Sequence, residues 1–71
     1  MRAHYTVQFP HRKGYYRTLE AATLKAFTFL RACMKEGRKE CLRELHVVNK
    51  NSGLTACRLL TTEKEVCIHY V

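Results

Sequence analysis

The chain has no aspartate and a single serine, Ser52, among its 71 residues. A Ser-His-Asp triad cannot be assembled without aspartate. A glutamate version would have to use Ser52, which the surrounding "KNSG" places in a turn. The expectation is therefore a protein without catalysis. Acid is missing altogether from residues 1–19, which carry Arg2, Arg12, Lys13 and Arg17. No apolar run approaches the ~20 residues needed to cross a bilayer, so no membrane partner is expected. The first residues, "MRAHYTVQFPHRK", contain no apolar h-region of a secretory signal, and the cytoplasm is the expected compartment.

Metal-ligand spacing is also missing. Four Cys and four His invite a zinc site, but there is no CxxC and no HxxxH. Cys33 and Cys41 are far apart in sequence, as are Cys57 and Cys67. Cys67 and His69 form the one local pair, at i, i+2 on an extended segment. Exposed strand residues account for that pair, and buried Cys commonly acts as a small hydrophobe. No metal, no cofactor and no disulfide is expected, the last because a reducing cytosol keeps thiols reduced.

What is present is charge of one sign and enough apolar residues for a core. The formal net charge is +7, with 46% hydrophobic residues. A chain this short forms one domain, residues 1–71, and buries only about 60% of its extended surface. Residues 1–44 hold most of the Lys and Arg, while the last residues are nearly balanced. A one-sided basic field attracts polyanions: nucleic acid, or an acidic protein face.

The pattern along the chain reads as one helix among strands. "AHYTVQF" alternates, with Tyr5, Val7 and Phe9 on one face and His4, Thr6 and Gln8 on the other. Pro10 ends regular pairing. "HRKG" reads as a turn with Gly14 supplying a positive φ, and "YYRT" as a short return strand or a lead into the helix. Thr18 is the expected N-cap of a helix over "LEAATLKAFTFLRACMKE", with Glu20 in its first turn and Gly37 closing it. Its apolar stripe runs through Leu19, Ala22, Ala26, Leu30 and Cys33, and Leu24 falls on the outer face. "RKECLRE" is either a loop or a further helical turn. "LHVVN", "LTACRLL" and "EVCIHYV" read as strands, separated by the turns "KNSG" and "TTEK". If "TTEK" closes a hairpin, Leu59 stands opposite Val66 and Cys57 opposite Ile68, which puts Cys57 on the core face and Cys67 away from it. The fold class is α+β: one amphipathic helix on one face of a small antiparallel sheet, in the order β(β)αβββ. The other sheet face is left to solvent or a partner.

The best functional candidate is "FPHRKGYYR". Arg12, Lys13 and Arg17 offer charge to phosphates, and Tyr15 and Tyr16 offer flat faces to bases. In an extended segment the two tyrosines point to opposite sides, so only one stays available. A second basic group, Arg38, Lys39 and Arg43 with Lys35, follows the helix. The expected function is a small basic binding protein for nucleic acid or a nucleoprotein complex. The alternative is an inhibitor or adaptor that binds a host protein.

The run "TLEAATLKAFTFLRACMKEG" followed by "LHVVNKNSGLTACRLL" resembles the helix-then-hairpin unit of small phage and mobile-element proteins. A strand such as "HYTVQF" often precedes it in that group. Some members are anti-CRISPR proteins, which bind a host defence complex and block it. The resemblance lies in pattern and size over most of the chain. It implies a small non-catalytic binding protein, and it names neither a target nor binding residues.

Overall fold

The computed structural model describes residues 3–37 and 44–71. Strand β1, Tyr5–Gln8, leads through Pro10 into β2, Lys13–Tyr16. Helix α1 follows over Leu19–Glu36, then β3, Leu45–Asn49, β4, Thr55–Thr61, and β5, Val66–Tyr70. The strands form one antiparallel sheet in the order β2-β1-β3-β4-β5, with α1 on one face. This is the α+β fold that the alternation and the single amphipathic stripe predict.

Local chemistry explains the ends of α1. The Thr18 hydroxyl accepts from the Ala21 amide at 3.1 Å, satisfying a donor that the helix leaves open. Gly37 takes φ 68°, ψ 24°, and its N–H reaches back to the last carbonyls. Leu30, Ala22 and Ala26 face the sheet and are fully buried. They pack with Val7, Phe9, Leu45, Val47, Cys57 and Leu59 in one core. Phe29 meets Phe9 edge-on, at 5.2 Å between centroids. Leu24 lies on the outer face, as the helical wheel requires.

Two turns differ from expectation. The first bend needs only Pro10 and His11: the Phe9 N–H donates to the Arg12 carbonyl at 2.8 Å. β2 therefore starts at Lys13, and Gly14 is a strand residue opposite Val7 without a positive φ. Gly14 is needed for space instead. A Cβ there would lie 2.5 Å from Tyr16 Oη and 2.7 Å from Tyr16 Cε2, because the Tyr16 ring lies back across it. The second difference is the last hairpin. Thr62 caps its turn, its N–H donating to the Glu65 carbonyl and its hydroxyl accepting from the amides of Lys64 and Glu65. That shifts the register by two residues, so Leu59 faces Ile68 and Cys57 faces Tyr70. A shift of two preserves the faces, and Cys57 stays in the core while Cys67 points away. The "KNSG" turn forms as read: the Asn49 side chain accepts from Asn51 and Ser52, and Gly53 takes φ 74°. "RKECLR", including Arg38, Lys39 and Arg43, lies outside the described residues.

Candidate functional site

Strand alternation divides the basic–aromatic cluster between the two sides of the sheet. Lys13 and Tyr15 point to the face opposite α1, while Gly14 and Tyr16 point toward it. Tyr16 packs against the core and leaves the candidate surface. Tyr15 remains 58% exposed. Arg12 turns to the helix side, its guanidinium 5.1 Å from the Phe9 ring centroid, in a small pocket with His11, Lys25 and Phe29. Arg17 lies exposed beyond β2. The cluster is thus split: Lys13 and Tyr15 share the open face, while Arg12 and Tyr16 lie on the helix side.

The open face recruits other residues in their place. The Lys50 ammonium sits 5.7 Å from the Tyr15 ring centroid. That contact exists because β1 lies between β2 and β3: Thr6 pairs with Tyr15 on one side and with Val48 on the other. His46, alternating with buried Leu45 and Val47, faces outward, as does Arg58 between buried Cys57 and Leu59. His69 stands opposite Arg58, and Cys67 opposite Leu60. Glu44 engages two of these groups, His46 Nε2 at 3.3 Å and Arg58 at 3.4 Å. These are exposed pairs worth little to stability. Thr6, Gln8, Lys13, Glu44, His46 and Val48 line a shallow depression of about 360 Å³ on this face.

Parity alone could have found His46 and Arg58, since each sits between core residues of a readable strand. Lys50 could not be found that way, because its approach to Tyr15 depends on the strand order. A second concavity, about 960 Å³, separates the outer flank of α1 from the β4–β5 turn. Leu24, Phe27 and Arg31 border it on one side, and Glu63 to Val66 on the other. Leu24 there is 63% exposed.

The buried Cys57 thiol is not poised for nucleophilic work. Burial pushes the Cys57 thiol above its ordinary range, against a smaller opposite pull from the Thr23 hydroxyl. Among the described residues no three His, Cys, Asp or Glu side chains gather closely enough to hold a metal ion. None of the described helices is long and apolar enough to cross a membrane. Compared with known proteins, the chain matches no family model, no curated sequence and no solved structure.

Proposed function

We propose that this protein binds single-stranded nucleic acid, free or within a nucleoprotein complex, on the open face of its sheet, without catalysis. One observation carries the reading: an exposed tyrosine, Tyr15, flanked by a lysine over its ring and by Lys13 two residues away on the same strand face. An aromatic face beside cations is what a strand of bases and phosphates requires. The ring stacks on a base while the ammonium groups neutralise adjacent phosphates. The net charge of +7 supplies the long-range attraction. Arg58, His46, His4 and His69 extend the polar surface across the other strands.

The test is a titration of labelled single-stranded and duplex oligonucleotides at low and moderate salt. Tyr15→Ala should weaken single-strand binding by about 1–3 kcal/mol, roughly a factor of five to a hundred or more. Tyr70→Ala, on the other side of the sheet, should leave it unchanged. Absence of binding even at low salt sinks the reading.

The alternative is a protein–protein inhibitor or adaptor, the role some of the phage proteins in the resemblance play. Leu24, exposed on the lip of the larger groove, is the observation that favours it. On that reading Leu24→Glu abolishes partner capture while Tyr15→Ala leaves it intact, and added salt changes affinity little.

A further inference from the structure

The two edges of the sheet are built differently. β2 carries Lys13, with Arg12 and Arg17 just outside it. Charge of that kind on an edge strand deters pairing with another chain. β5 reads Val-Cys-Ile-His-Tyr and contains no Lys, Arg, Asp or Glu. Past Val66 its helix-side residues are poorly covered, because α1 lies chiefly over the other strands. Ile68 is 36% exposed and Tyr70 66%.

The backbone direction of β5 follows from its bonds to β4 and its turn. The Val71 N–H donates to the Ala56 carbonyl at 3.1 Å, and the Glu65 carbonyl accepts from Thr62 at 2.8 Å. Odd-numbered positions therefore face β4. By alternation, the N–H and C=O groups of Val66, Ile68 and Tyr70 point out of the sheet edge. Two of these residues, Ile68 and Tyr70, also leave their side chains uncovered on the helix side, while Val66 packs against the core.

We propose that β5 is a self-association edge: two copies pair their β5 strands antiparallel about a two-fold axis at Ile68, joining their sheets into one. This register sets Ile68 opposite Ile68 of the second copy and Val66 opposite Tyr70. Every outward N–H and C=O of Val66, Ile68 and Tyr70 then finds a partner, whereas a slip in either direction leaves one end unpaired. Val66 against Tyr70 is a β-branched–aromatic pair, a stabilising cross-strand combination. β5 itself carries no Lys, Arg, Asp or Glu, so no like charges meet across the paired strands. A five-residue strand pair covers well under the ~800 Å² per partner of a standard interface. Association is therefore weak and concentration-dependent. The open faces of both copies fall on the same side of the joined sheet. The pairing stands whether or not that face binds nucleic acid.

Sedimentation velocity from low-micromolar to near-millimolar protein reads the association directly. The wild type should shift from monomer to dimer. Ile68→Lys places two ammonium groups on the axis and should weaken the dimer at least about tenfold, with an unchanged circular dichroism spectrum. Lys13→Glu, on the other edge, should leave it as it was. A cross-link fixes the register independently. In the proposed pairing, residue 69 of one copy lies opposite Cys67 of the other with Cα atoms about 4.5 Å apart, within disulfide reach. The two Cys67 residues are diagonal, about 7–8 Å apart, and beyond it. With Cys41→Ser in every chain compared, mild oxidation of the His69→Cys variant should give a covalent dimer that the chain with His69 and a His69→Ser variant do not form. A monomer at every concentration overturns the proposal. So does a dimer indifferent to Ile68→Lys, or a His69→Cys variant that fails to cross-link.

Discussion

Cys57 sits on β4 in the middle of the core, and its chemistry there is that of a small apolar side chain with a proton to lose. Burial raises its thiol above the ordinary value of 9.0. The sign of the consequence follows from linkage. Below pH 9 the thiol is protonated in both folded and unfolded chains, and its contribution to stability is fully present. Above that, the unfolded chain releases the proton first, and the contribution is lost as pH rises through the folded value. The melting temperature of the wild type should therefore fall more steeply between neutral pH and pH 10 than that of Cys57→Ala, measured by thermal melts. Leu30 is a second residue with a definite outcome. It is fully buried under the sheet-facing side of α1. Leu30→Ala should cost about 2–5 kcal/mol in chemical denaturation, from lost burial and the cavity left behind. For so small a domain that is a large share of the total.

At the scale of elements, the helix was the most legible part of the chain. Thr18, Glu20, the apolar stripe and Gly37 all specify the same boundaries, and local signals of this kind do not depend on the rest of the fold. Thr18→Ala should cost about 0.5–2 kcal/mol, read by denaturant midpoint, because the Ala21 amide loses its acceptor. The strands were legible as strands, and their faces as faces, since parity survives a shift of two. Their exact pairing was not, as the β4–β5 hairpin shows. There Thr62 bonds the Glu65 backbone and pulls the turn along the chain. Gly14 illustrates the other limit. A glycine after Pro10 suggests a turn, but the space it leaves is occupied by the Tyr16 ring, a contact visible only once β2 is extended. For the same reason the candidate surface was half legible. Tyr15 and Lys13 follow from alternation, whereas Lys50 comes to Tyr15 only through strand order.

At the scale of the whole molecule, the charge is divided between the two sides of the sheet. Arg12 lies against Phe9 on the helix side, and Lys25 is exposed near it, while Lys13 and Lys50 belong to the open face. If nucleic acid lies on that face, log affinity should fall linearly with log salt. Lys13→Ala and Lys50→Ala should each reduce the slope by about 0.7 for a single strand, and Lys25→Ala should leave it unaltered. The placement of β1 has a consequence of another kind. It is made before α1 and β3, yet it lies inside the sheet, bonded on one side to nearby β2 and on the other to β3, with Tyr5 facing Asn49. During synthesis the first hairpin and α1 can emerge while β1 still has an open side. Only when β3 leaves the ribosome can that side close. Long-range pairing of this sort slows folding, and until it happens the nascent chain exposes a central strand to any neighbour.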